Sequence, residues 1–106
     1  MSSGLGELGR FSEPALHILV SLAGGPKHGY AMMLDIEELS GARPGPGTLY
    51  GALARLESRG WITALPADER RKPYALTGEG LAVLEARLAE LQALAGHGRQ
   101  RLEAAR

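Results

Sequence analysis

The chain has 106 residues, 12 Lys and Arg against 12 Asp and Glu, and no cysteine. That length fits one domain with a modest core; zero net charge excludes a uniformly basic, histone-like protein, and the absence of thiols excludes disulfides and thiolate metal sites, in keeping with a reducing cytosol. The longest apolar stretch, residues 15–23, is broken by His17 and Ser21 and is too short for a bilayer, and no charged-then-apolar secretion signal opens the chain, so the sequence reads as soluble, cytoplasmic and without a membrane partner.

Residues 1–11 hold three glycines and two serines with no period and read as a flexible arm. Ser12, Glu13 and Pro14 then announce a helix with a capping hydroxyl, an acid at its positive end and proline in its first turn. Ala15, Ile18, Leu19 and Leu22 form one apolar stripe, while Leu16 and Val20 form a second that asks for a different partner. After the turn Gly24-Gly25-Pro26, a second helix is expected from about His28 to Ser40, closed by Gly41. Met32, Ile36 and Leu39 line its inner face, and Asp35, Glu37 and Glu38 make it acidic elsewhere. Only its N-terminal end, with Lys27, His28 and Tyr30, suits a phosphate.

Residues 45–62 read as a third helix with three faces, closed by Gly60. Leu49, Leu53 and Leu56 share its apolar back. Thr48, Gly51, Arg55 and Arg59 fall on a slim cationic front, and Tyr50, Ala54 and Glu57 make the third side. An ordinary amphipathic surface helix shows the same three leucines, but two short helices joined by residues 43–47 also fit a helix-turn-helix. Residues 61–65 and 74–76 can pair as strands around a charged loop containing Arg70, Arg71 and Lys72. A cationic hairpin directly after such a helix is the wing of a winged-helix domain; the alternative for these cations is a solvated turn.

Thr77 can cap a last helix, in which Leu81, Leu84, Leu88, Leu91 and Ala95 step by three and four, an a/d seam of about two heptads. This is more apolar surface than so small a domain needs. With Leu16 and Val20 it predicts a homodimer joined by the first and last helices. The fold class expected is therefore mainly α with a small β-hairpin, a winged helix-turn-helix over residues 12–77 and a dimerisation helix over 78–95. Gly96 and Gly98 interrupt the pattern, so residues 96–106 read as a frayed or disordered tail.

Little points to catalysis. His17, His28 and His97 sit on three different elements without a metal-ligand spacing. No nucleophile elbow or phosphate-binding glycine loop occurs. No enzyme activity, metal or cofactor is expected.

Three motifs in order carry a resemblance. HGY at His28, Gly29 and Tyr30, TLYxxLxRLExxG from Thr48 to Gly60, and YxLTxxG from Tyr74 to Gly80 resemble the PadR-like family of bacterial transcriptional regulators. The likeness runs over about residues 12–94. It implies a dimeric winged-helix repressor that binds a palindromic operator in double-stranded DNA, of the short form with one C-terminal dimerisation helix. Tyr30, Thr48 and Tyr50 match positions expected near the DNA backbone, and Leu49, Leu53, Leu56 and Ile62 match core positions. Some relatives bind planar drugs through aromatic residues on the last helix; this one has none there, which puts a stacking drug site in doubt and leaves any small-molecule effector unidentified.

The DNA-facing set expected is thus Lys27, His28, Tyr30, Thr48, Tyr50, Gly51, Arg55, Arg59, Arg70, Arg71 and Lys72, with Arg55 the candidate for a base edge. The dimer set is Leu16, Val20, Leu81, Leu84, Leu88 and Leu91. The rival is a winged-helix module that binds protein and not DNA. Zero net charge and acidic second and fourth helices favour it; segregation of the basic residues onto the third helix and wing opposes it.

Overall fold

The computed structural model describes residues 12–67 and 70–106; the expected N-terminal arm, residues 1–11, lies outside the described residues. Helix α1 is Ser12–Ala23, strand β1 Lys27–His28, helix α2 Gly29–Ser40 and helix α3 Pro46–Ser58. Strands β2, Ile62–Ala64, and β3, Pro73–Leu76, precede a long helix α4, Gly78–Ala105.

The α1 stripe behaves as its spacing requires: Ala15, Ile18, Leu19 and Leu22 are all buried. They meet Met32 and Ile36 of α2, Leu49, Ala52, Leu53 and Leu56 of α3, Ile62, Tyr74 and Leu84 in one apolar core. Leu16 and Val20 pack partly against that core. The expected third member of the α2 stripe, Leu39, is 52% exposed. It lies in the last turn, where Gly41 adopts φ 82° and donates its N–H to Glu37 O, so the helix stops at the margin of the core. Nor is Asp35 a solvated acid. The buried Ser21 hydroxyl donates to its Oδ2 at 2.6 Å, tying α1 to α2.

Helix α3 starts at Pro46, which is compatible with a first helical turn, after Gly45 as N-cap. Gly60, with φ 79°, turns the chain into the wing as its position predicts. The wing is not a two-stranded hairpin alone. The sheet has three antiparallel strands in the order β1-β3-β2. Thr63 pairs with Ala75 on one side of β3, and Lys27 pairs with Tyr74 on the other. A two-residue strand is too short to show alternation, so β1 leaves no pattern in the sequence. Its consequence is large, because it brings the start of α2 against the base of the wing.

The wing is also clamped to α4. Thr77 caps that helix by accepting from Gly80 N at 3.0 Å, donates its hydroxyl to Gly60 O at 2.6 Å, and donates its N–H to Trp61 O at 3.1 Å. Gly80 lies so near the Trp61 carbonyl that a Cβ would sit 2.8 Å from its carbon.

The expectation of a frayed or disordered tail at 96–106 is not met: α4 continues through Gly96 and Gly98 to Ala105. Two glycines cost roughly 2 kcal/mol against alanine, which a long helix with many backbone hydrogen bonds tolerates. At 28 residues it is about 42 Å long, and from Gln92 onward every residue is exposed. Accordingly the radius of gyration is 15.3 Å, against about 13 Å for a compact chain of this length.

Candidate nucleic-acid interface

Helix α3 turns Leu49, Ala52, Leu53 and Leu56 inward, which fixes what faces out. At 100° per residue the line opposite that core face is Gly47, Gly51, Ala54 and Ser58, all exposed. The most protruding edge of the helix therefore carries almost no side chain. Neither Gly47 nor Gly51 has a neighbour within 4 Å of where a Cβ would stand. Packing does not require them to be glycine.

Thr48 and Arg55 occupy one flank of this bare edge, and Tyr50 and Glu57 the other. Both Thr48 and Arg55 are exposed. Arg59, expected on the same front, is the C-cap residue, and its guanidinium carbon stands 5.5 Å from the centroid of the Trp61 ring. That cation–π distance turns Arg59 back toward the start of the wing.

On the Tyr50 flank, three elements converge. His28, Gly29 and Tyr30 from the β1–α2 junction, Tyr50 from α3, and Arg70, Arg71, Lys72 and Tyr74 from the wing line a cleft of about 310 Å³. Tyr30 and Tyr50 are 55% and 49% exposed, so two hydroxyl-bearing rings stand at its rim. Gly29 makes this possible, since a Cβ there would meet the Tyr50 ring, with Cζ at 2.8 Å. The glycine of HGY is thus a seat for the tyrosine of TLY. Lys72 Nζ lies 5.7 Å from the centroid of the buried Tyr74 ring, which holds the lysine over the floor.

His28 joins the two sides of the cleft. It is the N-cap of α2, with Nδ1 facing Ala31 N at 3.4 Å, and its Nε2 lies 3.1 Å from Arg71 Nη1. Among the described residues lining the cleft there is no carboxylate. A concave surface with three cations and two phenols at its rim suits a polyanion.

Lys27 differs from its expected role as a phosphate clamp. Its Nζ donates to Ser21 O and, at 3.4 Å, to Gly25 O, and lies 3.8 Å from Asp35 Oδ2. It neutralises the carbonyl end of α1 and an acid of α2, so it is bound to its own domain. The dimer set divides as well. Leu84 is 4% exposed and belongs to the core of its own domain. Leu81 and Leu88 are exposed at 49% and 41%, while Leu16, Val20 and Leu91 are half-buried.

The profile of the PadR-like family of transcriptional regulators matches residues 18–86, which run from the second half of α1 through the helix-turn-helix and the wing into the first turns of α4. The chain belongs to that family. A PadR family transcription regulator from hypervirulent Clostridium difficile R20291 is 30% identical, with 84% of this chain and 97% of that one covered at a TM-score of 0.76. A transcriptional regulator from Clostridium thermocellum is 26% identical, covering 94% and 96% of the two chains at 0.74. An uncharacterized 37.1 kDa protein in transposon TN4556 of Streptomyces fradiae is 42% identical over 87 residues, which are 82% of this chain and 25% of the relative. The chain thus spans about a quarter of that protein's length. Like its solved relatives, this PadR-like chain has the winged-helix fold, and the family it belongs to is one of transcriptional regulators. No helix among its described residues is long and apolar enough to cross a membrane.

The sequence marks these residues but not the contacts that unite them. Gly29 as the seat of Tyr50 needs α2 packed against α3, Lys72 over Tyr74 is local to the wing, and the His28–Arg71 contact follows from β1 pairing with β3. The HGY and TLY motifs were the available signal, but motif spacing does not say that the two touch.

Proposed function

We propose that this chain acts as a homodimeric repressor that binds a palindromic operator in double-stranded DNA. Helix α3 enters the major groove by its bare edge, while Thr48, Tyr30, Tyr50 and the wing cations hold the flanking phosphates. The observation that carries this reading is the side-chain-poor line of Gly47, Gly51 and Ala54 beside a cleft whose described lining has no carboxylate. A groove floor can approach that line closely, and the cleft matches a backbone that runs past it. Arg55 is the candidate for a guanine edge, a contact worth about 1–3 kcal/mol.

Dimerisation is supported by the exposed Leu81 and Leu88 and by a helix that extends far beyond its own domain. Heptad spacing links Leu81, Leu88, Ala95 and Leu102 along one line, and Leu102 is 57% exposed. A partner helix along that line would bury surface that the isolated chain leaves in water. Two-fold symmetry would then pair two α3 helices with a palindrome.

Fluorescence anisotropy on the protein's own upstream DNA and on a scrambled duplex, at several salt concentrations, tests the proposal. Tighter binding to the upstream DNA with a steep salt slope is the expected result. Arg55→Ala should then weaken binding unevenly across operator variants; equal weakening on every sequence would assign Arg55 to phosphate. Weak binding to all duplexes with a flat slope would favour the protein-binding alternative.

A further inference from the structure

His28 has two neighbours that make incompatible demands on it. The amide N–H of Ala31 points at Nδ1 from 3.4 Å, and Arg71 Nη1 stands 3.1 Å from Nε2. Both neighbours are donors, and a guanidinium has no acceptor to offer. A neutral imidazole has only one nitrogen with a free lone pair. If Nε2 accepts from Arg71, Nδ1 carries the proton and faces another N–H, so α2 loses its cap. If Nδ1 caps α2, Nε2–H faces the guanidinium, and two donors meet with no acceptor between them. Protonation of the ring supplies donors at both nitrogens and deepens the conflict. In every state this point of the cleft has at least one donor too many.

We propose that a phosphodiester oxygen of DNA completes this arrangement, and that His28 changes tautomer to receive it. Without DNA, Arg71 rests on the Nε2 lone pair. On binding, Arg71 turns to the phosphate, Nδ1 takes up the capping bond from Ala31, and Nε2–H donates to the same phosphate. No bond other than N–H is exchanged, and the ring proton moves between its nitrogens through solvent. Tyr30, Tyr50, Arg70 and Lys72 surround the same cleft and add no acidic competitor; Asp68 and Glu69 lie outside the described residues. The contact engages the start of α2 and the wing with one phosphate, so wing docking and helix capping become a single event. This inference rests on the DNA-binding reading and assigns the part of the ligand that meets these two residues.

The test is the ¹⁵N spectrum of the histidine rings in the full chain, with His28→Asn identifying the His28 signals. It is recorded alone, with millimolar inorganic phosphate, and with a duplex whose binding anisotropy has established. The expected result is a His28 ring with its proton on Nδ1 in the free protein and on Nε2 in the duplex complex, with inorganic phosphate causing no such change. A bound duplex that leaves the tautomer unaltered would overturn the inference and leave the DNA-binding reading standing. A change with inorganic phosphate but not with duplex would also overturn it. Binding to no duplex at all would overturn both.

Affinity gives an independent check. Asparagine is a strong N-cap, so His28→Asn keeps the cap of α2 and removes only the reach to the phosphate. The melting temperature should hold while operator affinity falls about tenfold, the scale of one charge-assisted hydrogen bond. Arg71→Ala should cost more in wild type than in the His28→Asn background. Equal losses in both backgrounds would show that the two residues act separately and would overturn the shared contact.

Discussion

Two glycines in this chain answer to opposite constraints, and single substitutions separate them. Gly80 is fixed by its own fold, because a Cβ would run into the Trp61 carbonyl, which Thr77 N already holds. Gly80→Ala should therefore destabilise the domain by about 1–3 kcal/mol, read as a lower urea midpoint. Gly51 has open space around it in the middle of an exposed helix face. Gly51→Ala should stabilise the fold by up to about 1 kcal/mol and yet weaken operator binding, since the methyl group stands where the groove floor must approach. A variant that is both more stable and undiminished in DNA affinity would remove Gly51 from the interface.

At the scale of elements, the wing is held at both ends. Strand β1 binds β3 on one edge, and Thr77 and Gly80 join the return from β3 to the Gly60-Trp61 corner after α3. A recognition helix and a wing that share these anchors present their cations at a fixed separation, which matters because phosphates are evenly spaced. Arg70→Ala with Lys72→Ala should then lower affinity on all sequences alike and flatten the salt slope by nearly one unit for each phosphate left unneutralised per subunit. An unchanged slope would mean that the wing cations are merely solvated.

For the whole molecule, α4 carries two sets of leucines, and the proposed dimer gives them different roles. Leu84 completes the domain core, whereas Leu81 and Leu88 face outward. Leu84→Ala should cost about 2–5 kcal/mol of stability at any protein concentration. Leu88→Lys should leave each domain folded but yield a monomer by light scattering, with a large loss of operator affinity because two half-sites are no longer engaged together. A Leu88→Lys protein that remains dimeric would show that the partner packs on another face of α4.

The sequence by itself determined the helical elements apart from the extension of α4 past residue 95, the closing glycines at Gly41 and Gly60, and nearly all of the core, because an apolar stripe at helical spacing favours burial on one side. It also marked the residues of the cleft, through motifs whose members are close along the chain. It could not determine how the last member of the α2 stripe would end, and Leu39 reached solvent where the core ran out. It did not separate Leu84 from Leu88, since both satisfy the same seam and only the position of α1 and the sheet against α4 distinguishes them. Lys27, expected at a phosphate from its place in the sequence, has its Nζ set among Ser21 O, Gly25 O and Asp35 by the tertiary structure. The two-residue strand β1 was decided by tertiary structure alone: so short a strand has no period of its own, and its stability comes entirely from β3, more than forty positions later in the chain. That pairing sets His28 beside Arg71.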